Sequence, residues 1–226
     1  MSTIANTAKG PHQGQRILRA GEPLNRARAA MIMIHGRGAT AHDILLLADE
    51  LGQVGFAYLA PQAANNTWYP NRFMEPIPSN EPWLSSALVF IENVLKEVGE
   101  AGIPAERTLL LGFSQGACLT LEFAARHARR YGGVVGLSGG LIGPAGTPRT
   151  YAGSFEGTPI FLGCSDVDFH IPKERVQETA EVLQRLSAQV TVRLYPHMGH
   201  EINQDELDFV RKMCAVVLGT QNDSRR

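Results

Sequence analysis

The sequence predicts an α/β fold with a mostly parallel sheet sandwiched between helices. Three observations carry that expectation. Strand-length apolar runs alternate with amphipathic helical stretches along the chain. The runs are uninterrupted, as expected for strands covered by helices on both faces. His35, Ser114, Ser138, Asp166 and His200 each follow the end of a run. In such sheets ligands bind outside the carboxyl ends of the strands, so these five residues are candidates for one site.

The elements follow in order. Ala29 to Ile34 is a buried strand ending at His35-Gly36-Arg37-Gly38. Thr40, with Asp43 three residues on, caps a helix whose apolar positions are Ile44, Leu47, Leu51 and Val54. Phe56 to Ala60 is a short strand stopped by Pro61. Residues 61–82 form a long irregular loop carrying Trp68, Tyr69, Phe73 and Met74; a loop of that length is usually functional or mobile. Pro82 opens a helix with Leu84, Ala87, Leu88, Ile91, Val94, Leu95 and Val98 on one face. Leu109 to Leu111 leads through Gly112 to Ser114, and a helix follows to about Arg130.

Val134 to Leu137 is a strand, and 139–157 a loop rich in Gly and Pro. Pro159 to Leu162 is a strand running into Gly163-Cys164-Ser165-Asp166. Pro172 starts a helix with Val176, Ala180, Leu183 and Leu186. Val190 to Tyr195 is the last strand, ending at Pro196-His197-Met198-Gly199-His200. The final helix begins near Asn203, with Asp205 and Glu206 early, Arg211 and Lys212 late and Gly219 after its end, a charge order that suits the helix dipole. One domain is expected over residues 15–219, between a flexible arm (1–14) and a flexible tail (220–226).

Composition narrows the function classes. The chain has 226 residues, 44% hydrophobic and 19% charged, with a net charge of −1. That is a globular chain with no basic surplus to draw nucleic acid or an anionic membrane. Cys118, Cys164 and Cys214 are widely spaced and odd in number, which predicts a reducing compartment rather than a disulfide framework. No stretch approaches the ~20 apolar residues of a membrane span. The expectation is a soluble, cytoplasmic protein acting on a small molecule, with exposed apolar loop residues that would permit a homodimer.

Ser114 carries the chemistry. A strand, a sharp turn and a helix lift its hydroxyl off the sheet beside the N–H groups of a helix start. The pattern Gly-x-Ser-x-Gly also occurs around Ser138, but Gly-Gly-Leu-Ile-Gly-Pro follows, a poor helix start. Ser138 is therefore expected to line or support the site. A serine nucleophile needs a base, and the base an orienting acid. His200, in the loop before the last helix, is the expected base, with His197 as the alternative. Asp166 lies nearest its strand end and is the expected acid, with Asp168 as the alternative. Asp166, Asp168 and His170 also resemble part of a calcium loop, but the glycine and distal Glu of such a loop are missing, so no metal is expected.

The oxyanion of acyl transfer calls for two donors. Gln115 N–H at the helix start is one candidate, and Arg37 N–H, flanked by Gly36 and Gly38, the other. The Arg37 side chain is read as solvated or as greeting an anionic substrate. His35 is read as a structural histidine that fixes its loop. Trp68 and Tyr69, with Phe73 and Met74, are the candidates for an apolar substrate wall.

Ile34-His35-Gly36-Arg37-Gly38, Gly112-Phe113-Ser114-Gln115-Gly116-Ala117, Leu137-Ser138-Gly139, Gly163 with Asp166, and Met198-Gly199-His200 occur in one order. With these pieces the chain resembles the small carboxylesterase/phospholipase family of α/β hydrolases, which includes the acyl-protein thioesterases. The resemblance implies an α/β-hydrolase fold, with the triad at Ser114, Asp166 and His200, oxyanion donors at Arg37 and Gln115, and no metal or organic cofactor. The loop from Gly163 to Pro172 is about two residues longer than usual there. No large cap insertion separates the core strands, so an open site is expected. The function expected is a serine carboxylesterase acting on small to medium acyl esters through an acyl-serine intermediate. Acyl thioesterase or lysophospholipase action is the alternative within hydrolases, and a non-catalytic binding protein on the same fold the alternative outside them.

Overall fold

In the computed structural model, which describes residues 10–219, seven strands form one sheet in the order β1-β3-β2-β4-β5-β6-β7. These are β1 (Ile17–Gly21), β2 (Ala29–Ile34), β3 (Phe56–Pro61), β4 (Thr108–Phe113), β5 (Gly133–Leu137), β6 (Pro159–Ser165) and β7 (Gln189–Tyr195). Only β1 runs antiparallel, paired with β3 from Ile17↔Pro61 to Gly21↔Ala57. The other six are parallel, so the loops after β2, β4, β5, β6 and β7 open on one edge.

The helices are α1 (Ala41–Leu45), α2 (Leu47–Leu51), α3 (Trp83–Glu100), α4 (Gln115–Arg126), α5 (Lys173–Arg185) and α6 (Gln204–Leu218). β2 shows why both faces are covered. Ala30, Ile32 and Ile34 join the cluster packed under α3, α4 and α5, while Ala29, Met31 and Met33 join the one under α1, α2 and α6. The period of two splits an all-apolar strand between two cores.

Several expectations are corrected. β1 has no counterpart in the sequence reading; it is an edge strand of five residues with half-buried and exposed positions only, too weakly patterned to stand out. The helix expected from Thr40 to Val54 is two short helices meeting at Leu46. Gly52, at φ 58, ends the second, and Val54 is 81% exposed. The Thr40–Asp43 capping box does form. α4 stops at Arg126 rather than near Arg130, and β6 runs on to Ser165.

The arm expected over 1–14 is not loose at its inner end. His12 is fully buried: its backbone N–H donates to Ser86 Oγ (3.0 Å), and Gln13 Nε2 donates to Ser86 O (3.0 Å). Residues 1–9 and the tail 220–226 lie outside the described residues. Among the described residues no helix is long and apolar enough to cross a membrane.

Candidate active site

Ser114 sits between β4 and α4 at φ 56, ψ −122, a backbone region that non-glycine residues rarely occupy. The turn is held on both sides: Ser114 N–H donates to Leu137 O (2.9 Å), and Cys118 N–H donates to Ser114 O (3.0 Å). Gly116 lets α4 pass against β2, since a Cβ there would overlap the carbonyls of Ile34 and His35.

His200 Nε2 lies 2.8 Å from Ser114 Oγ, and His200 Nδ1 lies 2.7 Å from Asp168 Oδ2. With the carboxylate as acceptor, Nδ1 carries the proton and Nε2 is free to accept from the serine hydroxyl. The Asp168 side chain is fully buried and His200 is 15% exposed. Burial pushes the Asp168 carboxyl up, but hydrogen bonds from His200 and from the N–H groups of His170 (2.8 Å) and Ile171 (3.1 Å) outweigh it and hold the group below its usual range.

Asp166 does not reach His200. β6 ends at Ser165, and the Asp166 carboxylate turns toward β7, where it accepts His197 N–H (2.8 Å). It braces the turn that carries the histidine loop. Two residues on, the chain curls back over the strand end and delivers Asp168 instead. Nearness to the strand end therefore does not select the carboxylate that reaches His200. His197 serves through its backbone N–H. Because the two carboxylates face different partners, Asp166, Asp168 and His170 do not converge as a ligand set. Among the described residues no group of three or more His, Cys, Asp or Glu is arranged to hold a metal ion.

The Arg37 and Gln115 N–H groups have no acceptor among the described residues. Gln115 is the first residue of α4, whose N–H has no intrahelical partner. The backbone leading to Arg37 runs beside the nucleophile: a Cβ on Gly36 would lie 3.3 Å from Ser114 Cβ.

His35 is structural, and so is His12. His35 Nδ1 donates to Gly36 O (2.8 Å) and Nε2 accepts Ala63 N–H (3.1 Å). His12 Nε2 donates to Trp68 O (2.9 Å) and Nδ1 accepts Ala64 N–H (3.1 Å). Each ring is held as one neutral tautomer, and burial lowers both pKa values.

Trp68 and Tyr69 do not form a substrate wall. Both are buried, and Trp68 Nε1 donates to His35 O (2.8 Å) while its ring packs between His12 and His35. They are core pegs because a loop this long must bury something to stay ordered. Phe73 is buried under Arg175, and Met74 is 38% exposed. Ser138 is buried at φ 52 below the sheet edge, its N–H donating to Gly163 O (2.7 Å); it supports the turn and does not line an open surface.

The sequence reading missed what flanks His200. Phe113 lies 5.1 Å away on one side, and His170 (4.8 Å, edge-on) and Phe169 (6.2 Å) lie on another. Phe169 is 77% exposed and Val167 56%. Their position next to a catalytic-type acid is the one signal that could have found them.

Glu206 lies in the first turn of α6, just after the histidine loop. It is fully buried, and Oε2 accepts Asn203 N–H (2.9 Å) in a capping box. Oε1 has no partner among the described residues and faces the Gly163 backbone. Burial pushes its pKa from 4.5 to about 7. The folded state therefore binds the extra proton between those values, and stability falls as pH rises through that window. Above pH 7 the fold carries a partly unpaired carboxylate. Glu206→Gln is expected to raise Tm at pH 8 by roughly 2–4 °C, the shift that ~1 kcal/mol gives in a domain of this size, and by less at pH 5. Thermal melts at the two pH values check it, and an equal change at both would refute it.

A family model described as Phospholipase/Carboxylesterase matches residues 16–218. A solved structure described as a phospholipase/carboxylesterase from Dyadobacter fermentans is 43% identical, with TM-score 0.86 over 91% of this chain and 97% of that one. Acyl-protein thioesterase 1 of Saccharomyces cerevisiae is 28% identical over 225 residues, covering 86% of this chain and 97% of its own length. Acyl-protein thioesterase 1 of Gibberella zeae is 32% identical over 139 residues, and there the match spans 59% of this chain and 57% of that protein. A seven-stranded sheet with helices on both faces, a serine on a strained strand-to-helix turn and a family match over nearly the whole chain agree: the chain belongs to the phospholipase/carboxylesterase family of α/β hydrolases and is a serine hydrolase.

Proposed function

We propose that this protein is a carboxylesterase that cleaves small to medium acyl esters through an acyl-Ser114 intermediate. The observation that carries the reading is the unbroken line from Asp168 Oδ2 to His200 Nδ1 (2.7 Å) and from His200 Nε2 to Ser114 Oγ (2.8 Å). As Ser114 Oγ attacks the carbonyl carbon, His200 Nε2 takes its proton, and buried Asp168 stabilises the imidazolium. The Arg37 and Gln115 N–H groups meet the oxyanion. His200 then hands the proton to the departing alkoxide. Water repeats the two steps and releases the acid.

Phe169 favours an apolar substrate, because its exposed ring lies 6.2 Å from the ring of His200, the proton donor to the leaving group. Thioester cleavage follows the same steps with a thiol leaving. It is the second reading, and it draws on the Saccharomyces relative named an acyl-protein thioesterase.

The test is covalent labelling with a fluorophosphonate beside turnover of p-nitrophenyl butyrate and its thioester counterpart. The intact protein is expected to be labelled once and to turn over. Ser114→Ala is expected to lose labelling and at least ~10³-fold in kcat, on the scale of triad removal. Unlabelled, inactive intact protein would favour a binding role, and equal labelling of Ser114→Ala would place the nucleophile elsewhere.

A further inference from the structure

Arg37, whose backbone offers the first N–H, is flanked by Gly36 and Gly38. That side chain is exposed, as the solvated reading expects, but its guanidinium is also fully hydrogen-bonded to the protein. Nη1 donates to Pro70 O (2.9 Å) and Thr67 Oγ1 (3.1 Å). Nη2 donates to Tyr69 O (2.9 Å) and Asn71 O (2.6 Å). Each terminal nitrogen of a guanidinium carries two hydrogens, so all four are committed to one short segment.

The second donor is tied to the same segment. Gln115 is buried; its Nε2 donates to Tyr69 O (2.8 Å), and its Oε1 accepts Trp68 N–H (2.9 Å) and the Thr67 hydroxyl (3.3 Å). The Tyr69 carbonyl therefore bridges Arg37 Nη2 and Gln115 Nε2. The segment is fixed from behind as well: His12 holds Trp68 O, Trp68 holds His35 O, and Asn80 Oδ1 accepts Asn71 N–H (2.8 Å).

Resting on the assignment of Arg37 and Gln115 as the N–H donors, we infer that residues 67–71 are a template that sets their separation, and that the Arg37 guanidinium is the positioning group that straps its loop to it. Arg37 acts through backbone placement and does not touch the substrate. A planar fork is required, because one ammonium cannot reach acceptors spread from Thr67 to Asn71. Donor placement within about 0.5 Å is what such a site demands.

The experiment compares Arg37→Met with the intact protein on a p-nitrophenyl ester, with kcat expressed per site titrated by a fluorophosphonate, so that a smaller folded fraction cancels. Arg37→Met is expected to lose ~10²-fold in kcat, near the cost of one lost oxyanion donor. KM should stay within about 2-fold, and the Ki of an arylboronic acid, which forms a tetrahedral adduct on the serine, should rise in step with the fall in kcat. Arg37→Lys, which keeps the charge and the aliphatic stem, gives the same readings if the Met variant does not fold, and is expected to recover less than half of the lost activation free energy. A kcat within about 3-fold of the intact protein, or a raised KM at unchanged kcat, overturns the strap. An intact protein that neither labels nor turns over fails at the earlier step, the acyl-serine reading itself.

Discussion

Asp168→Asn is expected to lower kcat by ~10³–10⁴-fold with little change in KM, while Asp166→Asn costs less than about 10-fold. The scale is that of the Asp-to-amide change in a Ser-His-Asp triad. His200 Nδ1 donates to Asp168 Oδ2, and that single bond selects the tautomer in which Nε2 can accept the serine proton. An amide can present N–H to Nδ1 instead. The ring would then carry its proton on Nε2, the wrong atom for a base. Asp168 Oδ1 holds the N–H groups of His170 and Ile171, and an Asn oxygen can keep those bonds, so the loop survives while the tautomer is lost. Asp166 accepts one N–H, from His197, and an Asn oxygen serves equally there. Steady-state kinetics on both variants decide it: a large loss at 166 beside a small one at 168 would reverse the assignment.

That pair also shows where the sequence stops being readable. Strand positions were legible because β2, β4, β5 and β6 are buried on both faces and written as unbroken apolar runs. Chain order and the serine's strand-turn-helix context were legible for the same local reason. The choice between two carboxylates two residues apart was not, because it depends on how a loop curls over a strand end. That curl is fixed by local turn bonds to His170 and Ile171, which an aspartate at either position could make, and by His197 and the partner strand β7, which have no local signature. The 61–82 loop misled in the opposite direction. Aromatic residues in an irregular stretch look like a substrate wall, yet Trp68 and Tyr69 are sunk between His12, His35 and Gln115, contacts 33 to 56 residues away in sequence. The Arg37 side chain was ambiguous for the same reason: its four acceptors are mostly backbone carbonyls, which every sequence has.

Gly116→Ala is expected to cost about 3 kcal/mol of stability or more and to depress kcat of the remaining folded protein at least ~10-fold. The added methyl would overlap the carbonyl oxygens of Ile34 and His35. Overpacking commonly costs ~1–3 kcal/mol where side chains can shift, and here both obstacles are main chain. Relief requires α4 to lift away from the end of β2. The lift would also act on the chemistry, because β2 runs directly into the Arg37 loop and α4 begins with Gln115. Moving one against the other separates the two N–H donors and tilts Ser114 away from His200. Gly199 is the control within the same site. It neighbours His200, yet a Cβ there would meet nothing nearer than Glu201 Cδ at 3.8 Å. Gly199→Ala is therefore expected to stay within about 0.5 kcal/mol. Urea unfolding of both variants, with kcat per titrated serine, checks the contrast. A Gly116→Ala protein within about 1 kcal/mol of the parent would show that the strand-to-helix contact can yield. Glycine at this position would then not be needed for the spacing of the site.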